Sequence, residues 1–188
     1  MTTNARRRIY QNTHVRRAQI ADAAGKLIVR YGSEHITVRK IASEIGITEG
    51  AIYRHFKSKR DILFLMTDMA EDALLRDISD VDITNTSAID TLKTTYNRVI
   101  SRISNRRGFY FQLIAEIISF GDKKLNEKTT DLITKYTKRI SDIISAGIRI
   151  GEISPNLDAA TSATLFFSMI QGRTKSVILK KSSIVNRV

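Results

Sequence analysis

Long runs of helix-compatible residues, separated by very few breakers, constrain the fold of this chain more than any other feature. Its 188 residues include only one proline and nine glycines. Leu, Ile, Ala, Lys, Arg and Glu recur in the stretches between these breakers. Such stretches favour α-helices, whereas a β-sandwich would need many more turn residues. The sequence therefore predicts an all-α protein.

The first third of the chain predicts three short helices with tight connections. Residues 16–31 place apolar side chains on one helical face and are followed by a glycine that is expected to end the helix. Thr37 stands where an N-cap belongs, ahead of a second helix that Gly46 is expected to end in a left-handed conformation. Thr48 is expected to cap a third helix that ends near Phe56.

In the rest of the chain, capping and turn residues mark the helix boundaries less clearly. Ser58 is expected to cap a long fourth helix whose apolar residues are too numerous for a single stripe, so we expect neighbours on more than one side. An acidic, polar connection follows at 77–87. Further helices are predicted at 88–104, 108–120, 122–150, 158–171 and 174–181.

Basic residues are concentrated near the N-terminus. The formal net charge is +12 at pH 7 and the sequence pI is about 10.1. Residues 1–61 contain 13 Lys and Arg against 5 Asp and Glu, whereas residues 62–188 contain 18 against 14. A polyanionic partner is therefore expected. On charge alone, nucleic acid and an anionic membrane surface both stay open.

Composition argues against several classes of site. The lack of cysteine excludes disulfides and thiolate metal sites. The three histidines, His14, His35 and His55, do not have a metal-ligand spacing, and no nucleophile, carboxylate cluster or phosphate loop suggests an enzyme. We therefore expect neither a metal nor a cofactor.

The location expected from the sequence is the cytoplasm. The segment 1–17 lacks the apolar core of a secretory signal. No window approaches the ~18 uninterrupted apolar residues that a membrane span requires.

Residues 37–56 meet the requirements of a helix-turn-helix motif. Such a motif needs a small residue where the helices cross, a turn residue that tolerates positive φ, and apolar side chains that lock one helix on the other. Ala42 and Gly46 meet the first two requirements. The third is met by Ile41, Ile45, Ile47 and Ile52. The residues from Thr48 to Ala51 are short enough for the second helix to approach base edges in a DNA groove.

Other side chains in this region have the chemistry of DNA contact. Arg39 and Arg54 can each form two hydrogen bonds to a guanine edge. Donors of phosphate hydrogen bonds are expected at Thr37, Thr48, Tyr53, His55 and Lys59. Packing without DNA contact is the alternative for Tyr53 and His55, and Phe56 is apolar enough to be core.

Residues 20–63 closely resemble the N-terminal DNA-binding domain of the tetracycline-repressor (TetR) family. The matching features are Tyr31-Gly32, TVRKIA at 37–42, the Gly46 turn, Tyr53-x-His55-Phe56 and Lys57-Ser58-Lys59. The resemblance implies an N-terminal domain at 14–74, with the helix-turn-helix at 37–56. The long fourth helix would join it to a C-terminal helical ligand-binding and dimerisation domain at 75–188.

The resemblance also implies a function and a set of partners. The protein would be a homodimeric transcriptional regulator, usually a repressor, on a partly palindromic double-stranded operator, and a small-molecule effector would relieve repression. By the same resemblance, the bases would be faced by Arg39, Glu49, Gly50, Ala51 and Arg54. Arg54 stands where the family often has an aromatic residue, which leaves its role open. The alternative is an architectural DNA-binding protein without an effector, although the charge here is not spread uniformly.

Candidate effector-pocket residues are aromatic, Met or acidic side chains of the fourth and later helices. They are Met66, Met69, Phe109, Tyr110, Phe111, Glu116, Phe120 and Tyr136. For the aromatic and Met residues, packing in the core is the alternative interpretation.

Two further features leave alternatives open. Small residues in 158–172 permit close helix approach, which together with the resemblance suggests a dimer interface at Ala159, Ala163, Phe166, Phe167 and Ile170. Within a single chain the same residues would be core. The N-terminal arginines, Arg6, Arg7, Arg8, Arg16 and Arg17, would form either a minor-groove arm or a solvated tail.

Overall fold

The helices that position the candidate site are given by a computed structural model. It describes residues 3–32, 35–79, 87–104, 113, 114, 117 and 121–185, with side chains except at 3–12, 29, 79, 102–104 and 174–185. Within these ranges α-helix is the only regular element, which confirms the all-α prediction. The helices are α1 (Thr3–Tyr31), α2 (Val38–Glu44), α3 (Glu49–Tyr53), α4 (Lys59–Ser79), α5 (Ala88–Ser104), α6 (Lys123–Arg149) and α7 (Ala159–Val185).

Two helix boundaries differ clearly from those predicted. α1 begins at Thr3 rather than at residue 16, so residues 3–12 have a helical backbone, and what their arginines contact lies outside the described side chains. The break predicted after residue 171 is wrong, because α7 continues through Gly172. An isolated glycine in a helix costs only about 1 kcal/mol relative to Ala, which packing of the helix overrides. The helix predicted at 108–120 falls largely outside the described residues.

The chain divides into two compact units. The first contains Met1–Asp68 and Leu113–Asn126, and the second contains Met69–Gln112 and Glu127–Val188. The division between them falls inside α4. The domain limits 14–74 and 75–188 stay a prediction.

Apolar side chains from α1 to α4 form the core of the first unit. Four isoleucines on α1, α2 and α3 are fully buried: Ile20, Ile28, Ile41 and Ile52. Removing such a side chain from water stabilises the fold by roughly 1.5–3 kcal/mol. Because these residues belong to three helices, the core fixes α2 and α3 against α1.

Aromatic packing and one close helix approach characterise the second unit. The rings of Tyr136 and Phe167 lie 5.7 Å apart between centroids, so α6 packs against α7. A Cβ on Gly147 of α6 would lie 2.8 Å from the Cβ of Ala88 and 2.7 Å from Cδ1 of Ile153. The end of α6 can therefore approach the start of α5 this closely only with glycine at 147. No described helix has both the length and the apolar character needed to cross a membrane.

Candidate nucleic-acid interface

The start of each helix in the 37–56 motif is capped by a threonine. Oγ1 of Thr37 accepts a hydrogen bond from the backbone N–H of Lys40 at 3.2 Å, and Oγ1 of Thr48 accepts one from Ala51 at 3.2 Å. Both predicted N-caps are thereby confirmed. Each hydroxyl acts as an acceptor toward its own helix, so its O–H can still donate to a phosphate oxygen.

The turn between α2 and α3 is built on Gly46. This residue has φ of 67°, a left-handed conformation that favours glycine, and the expectation from the sequence is confirmed. The next residue, Ile47, donates its backbone N–H to the Ala42 carbonyl at 3.0 Å. Ala42 and Ile52 are buried, so α3 is held by its inner side against the rest of the unit.

The opposite side of α3 is open to solvent. Glu49 and Gly50 are exposed, Ala51 is half-buried, and the Tyr53 side chain keeps 53% of its surface accessible. Arg39 on α2 and Arg54 after α3 are also exposed. The structure thus brings the predicted base-facing residues to an accessible surface, and their contacts with bases stay a prediction.

The helix α3 is shorter than predicted and ends at Tyr53. The chain then makes a tight corner in which the backbone N–H groups of His55 and Phe56 both donate to the Ile52 carbonyl, at 2.8 and 3.0 Å. Phe56 is buried at this corner, in agreement with its prediction as core. His55 stays half-buried beside it.

A reciprocal cap begins α4. Oδ2 of Asp61 accepts from the backbone N–H of Lys57 at 2.9 Å and of Ser58 at 3.1 Å, while Oγ of Ser58 accepts from the Asp61 N–H at 3.2 Å. This arrangement is a capping box, and it places Lys59 in the first turn, where the helix dipole attracts anions. The phosphate role of Lys59 stays a prediction.

Positive charge surrounds His55. Partial burial lowers the pKa of its imidazole, and the charges of Arg16, Arg17 and Arg54 lower that pKa further. Since the usual histidine pKa is about 6.5, the ring is neutral at pH 7 and carries a single N–H donor. A neutral imidazole can donate that proton to a phosphate oxygen.

The structural role of Arg17 was not expected from the sequence. Its Nη1 donates to the His55 carbonyl at 2.6 Å, and its guanidinium carbon lies 4.3 Å from the centroid of the Phe56 ring. Arg17 was grouped only with the basic N-terminal segment. Helical periodicity places it on α1, but its hydrogen-bond partner His55 is 38 positions away. No local signal in the sequence could have identified this contact.

The candidate effector-pocket residues are only partly described. Phe109, Tyr110, Phe111, Glu116 and Phe120 lie outside the described residues. Met66 is buried in the first unit, whereas half-buried Met69 and buried Tyr136 belong to the second. Burial raises the pKa of the Tyr136 hydroxyl, and the nearby charge of Asp77 raises that pKa further. The hydroxyl therefore stays protonated at neutral pH.

Three buried threonines in the second unit were not anticipated. Thr91 and Thr95 lie one turn apart on α5, Thr129 lies on α6, and all three side chains are fully buried. Their hydroxyl oxygens have no hydrogen-bond partner among the described residues. Burying a hydroxyl without a partner costs about 1–3 kcal/mol. A ligand group that hydrogen-bonds to one of these hydroxyls would remove that cost.

The candidate dimer residues divide between the two sides of α7. Ala163, Phe167 and Ile170 are buried within the chain, which is what the alternative interpretation as core predicts. Ala159 and Phe166 are half-buried. The outward side of α7 carries Leu165 and Met169, with 60% and 59% of their surface exposed. Self-association through α7 stays a prediction.

No group of three or more His, Asp or Glu side chains within the described ranges could hold a metal ion.

Comparison with known proteins identifies the N-terminal region. Residues 20–66 match the family model described as bacterial regulatory proteins, tetR family. The fatty acid metabolism regulator protein of Bacillus subtilis is 25% identical over 152 residues, covering 81% of this chain and 78% of the relative. The nucleoid occlusion factor SlmA of a Marinomonas species is 21% identical over 164 residues, covering 87% and 83%.

Solved structures show the same fold. The regulator FadR of Bacillus subtilis, in complex with stearoyl-CoA, has a TM-score of 0.73 at 24% identity and covers 88% of both chains. AibR, in complex with isovaleryl coenzyme A and operator DNA, has a TM-score of 0.73 at 20% identity and covers 85% of this chain and 86% of its own. Residues 20–66 therefore match the tetR family of bacterial regulatory proteins, and the chain as a whole shares the fold of these regulators.

Proposed function

We propose that this protein is a sequence-specific DNA-binding transcriptional regulator that inserts α3 into the major groove. The proposal rests on the difference in burial between the two sides of α3. Ile52 is fully buried on one side, whereas Glu49, Gly50 and Tyr53 are accessible on the other. A short helix fixed in this way presents its N-terminal half to base edges, as a recognition helix must.

Groups before, within and after α3 in the sequence would position this helix by contacting DNA phosphates. The capping hydroxyls of Thr37 and Thr48, the Tyr53 hydroxyl, the neutral His55 ring and Lys59 are the proposed phosphate contacts. Arg39 and Arg54 are the proposed readers of guanine edges. The concentration of positive charge in residues 1–61 supports this assignment, since phosphate contact dominates affinity for DNA.

A homodimer would place two such helices on a partly palindromic operator. We propose that self-association involves the outward side of α7, where Leu165 and Met169 lie one turn apart and exposed, with Phe166 at the edge. Replacing Leu165 by Asp should shift the sedimentation coefficient from dimer to monomer. Ile150→Asp, at an exposed apolar residue outside α7, is the matched control. Dissociation caused equally by both variants would contradict the α7 interface.

The proposed effector is an acyl-coenzyme A bound by the second unit. Two observations support this class. Related structures contain stearoyl-CoA and isovaleryl coenzyme A, and buried hydroxyls of the second unit can hydrogen-bond to a ligand carbonyl or amide. We propose that Tyr136, Thr91 and Thr95 contribute to this site. Binding there would lower the affinity for the operator and so relieve repression.

Selection of bound fragments from a genomic DNA pool, at roughly physiological salt, tests the function. The expected product is a motif with two inverted half-sites. Affinity for that motif should then fall when stearoyl-CoA or isovaleryl-CoA is added, with free coenzyme A as the control. Salt-sensitive binding without an enriched motif would contradict the regulator.

An effector-independent DNA-binding protein is the second candidate. It is favoured by the likeness to proteins described as nucleoid occlusion factors, at 21% identity for one of them. An enriched DNA motif whose binding does not respond to any acyl-CoA would support this alternative.

A further inference from the structure

Arg17 forms a clamp between α1 and the corner that follows α3. Its Nη1 donates to the His55 carbonyl at 2.6 Å, and the contact is partly buried. Its guanidinium also lies over the Phe56 ring, with the central carbon 4.3 Å from the ring centroid. A planar guanidinium can combine these two contacts, a hydrogen bond from its edge and stacking through its face, which an ammonium group cannot.

The clamp acts just past the C-terminus of α3. α3 has only five residues and ends at Tyr53, and the Ile52 carbonyl already accepts from the backbone N–H groups of His55 and Phe56. Arg17 adds a donor for the His55 carbonyl, and a positive side chain near the end of a helix interacts favourably with the helix dipole. The orientation of the exposed side of α3 therefore depends on what holds the corner.

We propose that Arg17 is a positioning residue for DNA binding, which fixes the His55–Phe56 corner against α1 and thereby aims α3 and the His55 ring at the DNA. The inference rests on the proposed DNA-binding function. It assigns to Arg17 a role different from that of a surface charge. Without the clamp, the corner loosens and both base reading and phosphate contact lose their geometry.

Arg16 provides a matched control. It carries the same charge at the preceding position of α1, is exposed, and also lowers the pKa of His55. A purely electrostatic contribution would therefore be shared by the two arginines. The hydrogen bond to the His55 carbonyl and the stacking on Phe56 belong to Arg17.

The experiment compares the full-length protein with its Arg17→Ala, Arg17→Lys and Arg16→Ala variants. Binding to the selected operator and to a scrambled duplex is measured at several salt concentrations. Arg17→Ala should weaken operator binding roughly tenfold, the scale expected when a charged hydrogen-bond donor is lost. The ratio of operator to scrambled affinity should fall as well, and Arg17→Lys should restore part of it.

The control should behave differently. Arg16→Ala should weaken operator and scrambled binding alike, and should reduce the salt slope by no more than about one, the value for a single phosphate contact. Equal losses and unchanged ratios for Arg16→Ala and Arg17→Ala would overturn the positioning role.

Two measurements without DNA separate this inference from the proposed function. In Arg17→Ala, but not in Arg16→Ala, hydrogen exchange at the amides of His55 and Phe56 should accelerate by about tenfold while the melting temperature stays within a few degrees. Unchanged exchange would overturn the clamp. A wild-type protein that prefers no DNA sequence would overturn the proposed function, and exchange would still decide whether Arg17 holds the corner.

An NMR titration of His55 gives a further readout. Arg16 and Arg17 on α1 and Arg54 after α3 lower the pKa of His55 by their charge, and Lys57, Asp61 and Asp68 line the same cleft as His55. Removing either arginine should move the His55 titration toward higher pH.

Discussion

The guanidinium of Arg60 in α4 pairs with the carboxylate of Asp122 at the start of α6. Nη2 of Arg60 donates to Oδ1 at 3.0 Å, and its Nε lies 2.9 Å from Oδ2. Oδ1 also accepts from the backbone N–H of Leu125 at 2.9 Å, so Asp122 caps α6 as well. Both partners belong to the first unit, although 62 positions separate them.

These two roles of Asp122 can be separated by substitution. Asp122→Asn retains a good N-cap and loses the charge, so it should lower the free energy of unfolding by no more than about 1 kcal/mol, given the partial exposure of the pair. Asp122→Ala should cost about 1 kcal/mol more, because the cap is lost too. Urea denaturation checks both values. Equal costs would show that the cap contributes nothing.

Glu152 should make the second unit sensitive to acid. Its carboxylate accepts hydrogen bonds from the Ser87 hydroxyl and from the backbone N–H groups of Ala88 at 2.7 Å and Ile89 at 3.3 Å. The bond from Ser87 contributes most to lowering the pKa of Glu152, and the backbone donors and the charge of Lys93 lower that pKa further.

The sign of this effect follows from linkage. Because the pKa of Glu152 is lower in the folded state, its stabilisation is present above the unfolded-state pKa of about 4.3 and is lost as the pH falls through the folded value. Glu152→Gln should therefore reduce the urea midpoint at pH 7 and make it less dependent on pH below 5. Asp72→Asn, at an exposed acid, is the control. An unchanged pH dependence in Glu152→Gln would contradict the role of the carboxylate.

Two glycines of the helix-turn-helix should respond oppositely to Ala. Gly46→Ala forces an alanine into φ of 67° and should destabilise the protein by about 1–2 kcal/mol, although a Cβ there meets nothing within 4 Å. Gly50 is helical, and its added Cβ would have only Oγ1 of Thr48 nearby, at 3.9 Å. Gly50→Ala should therefore stabilise the fold by up to about 1 kcal/mol.

Gly50→Ala should have opposite effects on stability and on DNA binding. A methyl group on Gly50 stands on the exposed side of α3, where the proposed recognition helix approaches bases, so Gly50→Ala should weaken operator binding while its melting temperature rises. Calorimetry and binding to the selected operator provide the comparison. Full operator affinity in Gly50→Ala would argue against close approach at this position.

Arg39 and Lys59 should have different effects on DNA recognition. Arg39→Ala should relax the preference at one base pair, at a cost of about 1–3 kcal/mol there. Lys59→Ala should weaken binding to all sequences alike and lower the salt slope by about one. Binding to a set of single-base operator variants at several salt concentrations separates the two. If Arg39→Ala weakens cognate and scrambled sites equally, Arg39 is not a base reader.

Replacing Thr95 by Val should stabilise the fold and weaken binding of the proposed effector. Its buried hydroxyl has no partner among the described residues, so Thr95→Val should raise the free energy of unfolding by about 1 kcal/mol. The proposed effector site predicts that the same change reduces the rise in melting temperature caused by stearoyl-CoA. Thr134→Val, where the exposed hydroxyl donates to the Thr130 carbonyl at 2.9 Å, is the control. An undiminished response to stearoyl-CoA in Thr95→Val would remove Thr95 from the effector site.

The sequence by itself determined the features that depend on neighbouring residues. Thr37, Thr48 and Ser58 cap helices because short hydroxyl side chains reach the N–H groups three positions on, and Gly46 ends α2 because positive φ penalises other residues. Apolar periodicity placed Ile41 and Ile52 inside for a similarly local reason.

Only the tertiary structure decided the features that join distant segments. Nothing near Arg17 indicates the carbonyl of His55, and nothing near Arg60 indicates Asp122, because these pairings arise from how the helices pack. The continuity of α7 through Gly172 and the burial of Phe167 were decided in the same way. Packing energy summed over a whole helix exceeds the local cost of one glycine, so local propensity could not predict them.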